Sequence, residues 1–383
     1  MDSSIKVAVV RSDRRRGAVA EALALIGEDL RRRVQGESEP VLIPSLEDQS
    51  RSAPCTHRDV ISAAADALLG AGARSIAVVG GGGDRDHRDD RFARLGYRTE
   101  LWGRPATFHN IDHSGDGQSF CTLRWKDPQG KPTPVRVSAR AAAARCRITL
   151  SVAAAHGTFR VGLGLCNLAN VVHRDDRLLL RCSPRFALRP FPGLSQMAGI
   201  LEPCGGAFLR AWLELRAVSG GMRLTRRERR RLEQVEIATG HMIALAGCLM
   251  PHAALIDSFG ASHKSSPRRN WRGAWGTVIA GTDPVAVDAV AAKVLGFEPA
   301  EIPLLRLAQA LGLGMADLSA ITVVGDELVP PRRVRRHPAD RLLKLAGTAA
   351  QSSLSVRRPH FADVHSGWTT RPELRGTRDA YRV

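Results

Sequence analysis

The stretch Gly276-Thr-Val-Ile-Ala-Gly-Thr-Asp-Pro-Val-Ala-Val-Asp288 joins a short apolar strand to the start of a helix. Its first residues, Gly276–Ala280, are predicted to form the strand. Asp283 followed by Pro284 is typical of an N-cap residue with proline at the first helical position. We therefore interpret Asp283 as structural. We expect Asp288, one turn into the helix, to bond locally or to reach toward a site.

Strands and helices alternate before this stretch. Val7–Val10 has the pattern of a buried strand, and an amphipathic helix is predicted at Gly17–Arg33. Pro40–Pro44 and Ser75–Val79 are further strand candidates on either side of an alanine-rich helix at Arg58–Leu69. Strand, helix and strand at this spacing are typical of parallel βαβ units. The predicted fold is therefore α/β, with a mainly parallel sheet flanked by helices.

The segment 105–145 differs in character. Ser119–Trp125 and Thr133–Val137 are separated by a turn that contains proline and glycine, and they predict a β-hairpin. We expect this hairpin to be a small elaboration of one α/β domain that spans residues 1–328. Residues 329–383 are basic and rich in proline and arginine, with little periodicity, and we expect this tail to be poorly ordered.

A long helix is predicted from Thr225 to Met250. Thr225 and Glu228 form a capping-box pattern, and apolar residues recur on one face of the helix. The arginine-rich run Arg226–Arg231 is interpreted as solvated first turns of this helix rather than as a binding face.

The chain is strongly basic, with a net charge of +18. A basic surface attracts nucleic acid, anionic lipid or small anionic ligands. The excess is arginine rather than lysine, and no basic motif interleaved with aromatic residues accompanies it. Nucleic-acid binding is therefore not expected, whereas a small anionic ligand is compatible with the charge.

The seven cysteines are scattered and contain no C-x-x-C pair. A zinc ribbon or a ferredoxin-type cluster cannot be built locally from them, so no iron–sulfur cluster is expected. We find no signal-peptide pattern and no apolar run long enough to span a bilayer, and no membrane partner is expected. Together with the scattered thiols, these features predict a cytoplasmic protein.

Three further motifs follow the opening stretch in a fixed order: Leu295-Gly-Phe297, Leu311-Gly-Leu-Gly314 and Val323-Val-Gly-Asp326. With Gly276–Asp288 they resemble the C-terminal half of the domain-of-unknown-function family 362. Weaker similarity extends upstream, so the resemblance covers about residues 5–328. The function of that family is mostly unassigned. Many relatives carry an appended ferredoxin-like cluster module, which this chain lacks.

The resemblance also implies that several polar residues have changed. Where relatives show a Lys-Thr-His triplet and a Lys-Asn pair, this chain has Ala154-Ala155-His156 and Cys166-Asn167. The Lys-Pro-Asn of relatives is replaced by Ile43-Pro44-Ser45. An acidic Met-Glu-Gly stretch expected after Asp257 is replaced by Gly260–Lys264. The joint loss of these lysines and the glutamate indicates a different ligand or loss of the family chemistry.

The candidate catalytic residues are His156, Cys166, Asn167 and Asp257. His156 and Cys166 are compatible with a nucleophilic pair or with two soft metal ligands, although the apolar run around Cys166 favours a structural cysteine. Asn167 is predicted to orient groups by hydrogen bonding. Asp257 follows an apolar strand, where its carboxylate can orient a histidine or bind a cation.

Two other binding sites are predicted from residue type and position. His57, His156 and Asp257 are candidate ligands of a divalent metal. Gly80, Gly81, Gly82 and Gly83 follow a strand, where backbone N–H groups can cradle a phosphate, although a flexible turn is the simpler interpretation.

Two functions are compatible with these residues. The first is an enzyme of small-molecule metabolism acting on an anionic or carbonyl-bearing substrate, with His156 as acid/base or ligand, Asn167 as orienter and Asp257 as partner. The alternative is a non-catalytic family member that binds a ligand or protein partner through its arginine-rich surface.

Overall fold

The computed structural model describes residues 5–46, 55–81, 91–112, 119–126, 132–156, 158–180, 226–263 and 276–328 of the chain. The strands are β1 (Ile5–Arg11), β2 (Val41–Pro44), β3 (Ile76–Gly80), β4 (Ala106–Asn110), β5 (Phe120–Lys126), β6 (Pro132–Ser138), β7 (Arg147–His156), β8 (Arg160–Gly162), β9 (Ala253–His263), β10 (Thr277–Gly281) and β11 (Ile321–Gly325). The α-helices are α1 (Arg15–Leu25), α2 (Gly27–Val34), α3 (Arg58–Gly70), α4 (Arg91–Arg94), α5 (Tyr97–Glu100), α6 (Ala139–Ala143), α7 (Gly164–Asn167), α8 (Arg226–Leu249), α9 (Pro284–Val294) and α10 (Pro303–Ala310).

Nine of the described strands form one sheet in the order β11-β1-β10-β9-β7-β2-β3-β4, with β8 paired to β7. The strands β9, β7, β2, β3 and β4 run parallel to one another, and β1 runs parallel to β11. In contrast, β10 is antiparallel to both of its neighbours, and β8 is antiparallel to β7. The predicted α/β fold with a mainly parallel sheet flanked by helices is confirmed.

Each face of the sheet has its own apolar core, because helices cover both faces. Along β1, Val7 and Val9 belong to the core of α8 and α9, whereas Ala8 and Val10 belong to the core of α1 and α3. We call these two sides the α9 face and the α1 face. Strands that are buried on both sides are nearly continuous apolar runs, which is the pattern present in the sequence.

The reversal of β10 decides where α9 begins. Gly281, the last residue of β10, pairs with Val7 and Ala254 near the starts of β1 and β9. Asp283 then caps α9 by accepting a hydrogen bond from the Val285 N–H (2.9 Å), so its predicted structural role is confirmed. The helix α9 therefore starts at the amino edge of β1 and β9 and runs toward the carboxyl edge of the sheet.

The hairpin β5–β6 forms a separate two-stranded sheet, as predicted. It packs on the α9 face, where Trp125 Nε1 donates a hydrogen bond to His241 Nδ1 of α8 (2.9 Å). The hairpin is smaller than the segment 105–145, because Ala106–Asn110 forms β4 and pairs with β3 in the main sheet.

Two helix predictions need correction. Gly17–Arg33 is not one helix, because α1 and α2 are separated at Ile26, whose side chain is buried in the α1-face core. The arginine run at the start of α8 is not wholly solvated. Arg231 is 5% exposed because it lies one turn before Val235, on the buried stripe of that helix. The predicted tail, residues 329–383, lies outside the described residues.

None of the described helices is long and apolar enough to cross a membrane.

Candidate functional site

A pocket lies on the α9 face at the carboxyl edge of β7 and β2, beside α7. Its described wall contains six residues with functional groups: Ser45, Ser151, His156, Cys166, Asn167 and Asn170. Apolar side chains, among them Leu180 and Met242, form much of the rest. We call this the His156 pocket. Three of the four predicted catalytic residues therefore meet in one place.

His156 is the last residue of β7, and its imidazole is held in one orientation. Its Nδ1 accepts hydrogen bonds from the N–H groups of Thr158 (3.1 Å) and Phe159 (3.2 Å). The ring stacks on Phe159 with 5.1 Å between ring centroids. Because Nδ1 acts as acceptor, the neutral ring carries its proton on Nε2. The backbone of the following turn thus fixes the tautomer of the neutral ring.

Arg160 anchors the turn that follows His156. It has a φ of 69°, a conformation that is uncommon for residues other than glycine, and its side chain is fully buried. The guanidinium donates to the Glu301 carbonyl (2.7 Å) and lies 5.4 Å from the ring centroid of Phe297. Strained backbone persists where its surroundings enforce it, and such positions concentrate at functional sites. The residues after α9 therefore hold the β7–β8 turn in place.

Asp288 of α9 holds α7 from inside the protein. Its Oδ1 accepts from the Gly164 N–H (2.8 Å) and its Oδ2 from the Leu165 N–H (3.0 Å). Asp288 is 1% exposed, and burial raises the pKa of its carboxyl group to about 7. A Cβ on Gly164 would lie 2.9 Å from Asp288 Oδ1 and 3.1 Å from the Ala254 Cβ, so the position has room only for glycine. Of the two expectations for Asp288, a local bond and a reach toward a site, the second is closer, because its side chain bonds across to α7 beside the pocket, where its role is structural.

Asn167 and Asn170 connect the carboxyl ends of β2 and β7. The Asn167 side-chain amide donates to the carbonyl oxygens of Ile43 (2.6 Å) and Leu150 (3.3 Å). The Asn170 amide donates to Asn167 Oδ1 (2.6 Å) and to the Pro44 carbonyl (3.0 Å). The hydrogen bonds of Asn167 are thus directed at the two strands, which makes it a positioning residue in the pocket wall.

The Cys166 thiol lies in the pocket wall and packs, partly buried, against the α9-face core. Its Sγ donates to the Val161 carbonyl oxygen at 3.6 Å, a contact that requires the protonated thiol. In this state Cys166 behaves as the small apolar residue that its surroundings in the sequence indicate.

Asp257 lies on the opposite face of the sheet. Its Oδ2 is 3.0 Å from Arg15 Nε of α1, and its Oδ1 accepts from the Phe259 N–H (2.8 Å). The Arg15 guanidinium lies 5.0 Å from the ring centroid of Phe259. Burial raises the pKa of Asp257, and the Arg15 charge opposes that rise. The partner of Asp257 is therefore Arg15, which corrects its predicted partnership with His156.

His57 lies near this ion pair. It is the N-cap of α3, where its Nδ1 accepts from the Asp59 N–H (3.2 Å). Burial and the neighbouring Arg15 charge lower the pKa of His57. We call Arg15, Asp257 and His57 the Asp257 cluster. The three predicted metal ligands are thus divided between two faces. Among the described residues, no three His, Cys, Asp or Glu side chains are grouped to hold a metal ion.

The described part of the glycine run has structural explanations. Gly80 ends β3, and the Gly81 N–H donates to the Asn170 carbonyl (2.8 Å). A Cβ on Gly81 would collide with the buried ion pair of Arg177 and Asp112, whose nitrogen and oxygen atoms are 2.9 Å apart. Of the backbone N–H groups that we predicted to cradle a phosphate, the one of Gly81 is therefore already hydrogen-bonded within the protein. The last two glycines of the run lie outside the described residues.

The family model described as Domain of unknown function (DUF362) matches residues 41–293. The chain belongs to this family. The DUF362 match contains all six functional residues of the His156 pocket, as well as Asp257 and Asp288. It does not reach Arg15 or the residues that hold Arg160, so those contacts lie outside the matched region.

One solved structure with a similar chain is the lactate racemase apoprotein from Thermoanaerobacterium thermosaccharolyticum. The similarity covers 68% of this DUF362 chain and 51% of that chain, with 11% sequence identity and a TM-score of 0.40. The present chain thus spans about half the length of that protein. No curated protein matches the chain.

Four residues of the two clusters were not predicted. Asn170 follows Asn167 by three residues, a spacing that places both on one side of a helical turn and that could have revealed it. Ser45 comes directly after the second strand, where ligand-binding residues of α/β folds concentrate. Ser151 lies within an apolar strand, and Arg15 within a run of arginines, so neither had a distinguishing signal.

Proposed function

We propose that the chain is an enzyme of small-molecule metabolism whose carbonyl-bearing substrate binds in the His156 pocket. The observation that carries this proposal is the fixed tautomer of His156 in the pocket wall. Two backbone N–H groups occupy Nδ1, so the neutral ring offers its proton at Nε2. A carbonyl oxygen is a suitable acceptor for that proton.

In this proposal His156 acts as hydrogen-bond donor and general acid. A donor placed where negative charge develops on an oxygen lowers the barrier, provided that it is held rigidly. Arg160 holds the turn after His156, and Asp288 holds α7, which also lines the pocket. Both supports are buried, which preserves the geometry that such catalysis needs.

The described wall favours a carbonyl group over a strongly anionic one. Its polar residues offer hydroxyl, amide, imidazole and thiol groups, which suit uncharged oxygen atoms. The resemblance to relatives implies two lysines near this position, and lysine would neutralise an anion. Their replacement at Ala154 and Cys166 supports the carbonyl-bearing substrate.

The alternative, binding through the arginine-rich surface, has less support because many described arginines are paired within the chain. These ion pairs are Arg16 with Asp66 and Glu100, Arg31 with Glu28, Arg104 with Asp66, Arg136 with Asp176, and Arg140 with Glu39. In each pair a carboxylate neutralises the guanidinium charge locally, which weakens the positive potential that would attract an acidic partner.

We propose a cytoplasmic location for the enzyme. The described cysteines are free thiols, as expected in a reducing compartment: Cys55, Cys121, Cys146, Cys166 and Cys248.

The proposal is tested with His156→Asn, because the asparagine oxygen takes the place of Nδ1 and preserves the turn while the Nε2 donor is lost. Each purified protein is incubated with a mixture of small metabolites, and consumption is followed by mass spectrometry. We expect the wild type to consume at least one carbonyl-bearing component and His156→Asn to do so roughly 100-fold more slowly or worse.

The control variant is His57→Asn, which changes a histidine of the Asp257 cluster and retains an N-cap acceptor for α3. It should keep wild-type turnover. Full turnover by a folded His156→Asn protein, or no consumption by the wild type, would show that the proposed function is wrong.

A further inference from the structure

Ser151 lies in the wall of the His156 pocket with a buried hydroxyl group. The residue is 2% exposed, and its Oγ has no hydrogen-bond partner among the described residues. Buried hydroxyl groups are nearly always hydrogen-bonded, because burial without a partner is unfavourable. The position of this one, at a pocket, points to a ligand as its partner.

Thr149 provides an internal comparison. It lies two residues earlier on the same face of β7, and its Oγ1 is also buried without a partner among the described residues. It lies beneath α7, however, with Oγ1 3.2 Å from the position of a Cβ on Gly164, and it is not among the described pocket residues. Thr149 is fully buried there. Serine has no methyl group, so the hydroxyl is the only functional group that Ser151 brings to the pocket.

The polar surroundings of this part of the pocket indicate the charge of the ligand. The backbone carbonyls of Ile43, Pro44 and Leu150 lie next to the wall residues Asn167 and Asn170 and accept hydrogen bonds from their side-chain amides. Carbonyl oxygens carry partial negative charge and disfavour an anionic group. A hydroxyl or primary amide, in contrast, both donates to and accepts from Ser151.

Ser151 and His156 lie far enough apart along β7 to contact different parts of one ligand. Five residues along an extended strand span roughly 16 Å between the two Cα atoms. The imidazole leans back along the hairpin, since His156 Cδ2 lies 3.6 Å from the position of a Cβ on Gly162. The described wall also includes the apolar side chains of Leu180 and Met242.

We propose that Ser151 anchors an uncharged ligand that has a hydroxyl or primary amide at one end and an apolar body. The polar end binds the Ser151 hydroxyl, the body contacts Leu180 and Met242, and a carbonyl group lies near His156. The inference rests on the proposed function in one respect, because it takes the ligand of this pocket to be the substrate.

The test uses two probes of the same shape, isobutyramide and isobutyrate, which differ in charge. Their binding is followed by NMR titration of the full chain as wild type, Ser151→Ala and the matched control Thr149→Val. We expect isobutyramide to bind the wild type more tightly than isobutyrate does. Its affinity should fall at least tenfold in Ser151→Ala and stay unchanged in Thr149→Val.

Three results would overturn the inference: tighter binding of isobutyrate, equal isobutyramide affinity in the wild type and Ser151→Ala, or loss of the folded state in Ser151→Ala, which would make the hydroxyl structural. The turnover assay of His156→Asn separates this inference from the proposed function. If the probes bind as expected but His156→Asn retains full turnover, only the function is wrong. If His156→Asn loses turnover but Ser151→Ala binds normally, only the anchor is wrong.

Discussion

The His156 pocket and the Asp257 cluster lie on opposite faces of one sheet, and they use polar residues in opposite ways. The described wall of the pocket contains no Asp, Glu, Lys or Arg side chain, and Asn167 and Asn170 are bonded to backbone carbonyls of β2 and β7. In the Asp257 cluster the groups are charged, and Asp257 pairs directly with Arg15. Each charge of that pair compensates the other, whereas the buried Ser151 hydroxyl, which has no partner among the described residues, is available to a ligand.

The largest expected effect comes from breaking the ion pair of the Asp257 cluster. Arg15→Met removes the cation but keeps an apolar side chain beside Phe259, and Asp257 is then buried without its counter-charge. We expect the free energy of unfolding to fall by about 2–4 kcal/mol at pH 7. Denaturant titration measures this loss.

The matched control is Arg15→Met combined with Asp257→Asn, which removes the buried charge as well. Most of the lost stability should return, because the two residues are directly coupled. Equal destabilisation by Arg15→Met in both backgrounds would mean that the pair contributes nothing specific. Turnover in the His156 pocket should be unchanged in the double variant, which sharpens the separation of the two faces.

A smaller loss is expected from Gly164→Ala at the pocket. The added Cβ would meet Asp288 Oδ1 at 2.9 Å, so α7 must shift. We expect the free energy of unfolding to fall by about 1–3 kcal/mol and turnover to fall with it. Gly70→Ala is the control, since a Cβ there meets nothing within 4 Å, and it should leave stability equal or slightly higher. Wild-type stability of Gly164→Ala would contradict the packing of α7 against Asp288.

The smallest effect concerns the pH dependence of stability that Asp288 causes. Its pKa is about 7 in the folded chain and near 3.8 when exposed. The folded state therefore holds the proton more tightly. This contribution is fully present below about pH 3.8 and is lost as pH rises to about 7.

We expect the stability difference between the wild type and Asp288→Asn to shift against the wild type by about 1 kcal/mol from pH 6 to pH 7. Urea titrations of both proteins measure it, and using the difference cancels the raised pKa values of Asp257 and Asp283. A difference that does not change with pH would show that the Asp288 carboxyl group is ionised throughout this range.

Much of the fold was predictable from the sequence, because strand and helix periodicities alternate clearly and Asp283-Pro284 marks a helix start. The direction of β10 was not predictable. A strand buried on both sides is an apolar run whichever way it runs, so its residues contain no signal of orientation.

The candidate site was predicted only in part for the same reason. His156 was predicted at the carboxyl end of a strand and is the last residue of β7, whereas Asp257, predicted to follow a strand, lies within β9 and pairs with Val152. Which face each side chain occupies depends on strand alternation and on the irregularity between Val152 and Ala154 of β7. In strands with two apolar faces this alternation is not visible in the sequence, so two clusters were predicted as one.

The reversed strand β10 also determines the direction of the α9 dipole relative to the sheet. In a sheet whose strands are all parallel, helix N-termini point at the carboxyl edge, and their positive ends favour phosphate and other anions. Because β10 is reversed, α9 instead directs its negative C-terminal end toward this edge, where the Arg160 guanidinium lies beside Phe297. At this edge α9 therefore contributes no helix N-terminus that could bind an anion, and the Arg160 guanidinium is already bonded to Glu301.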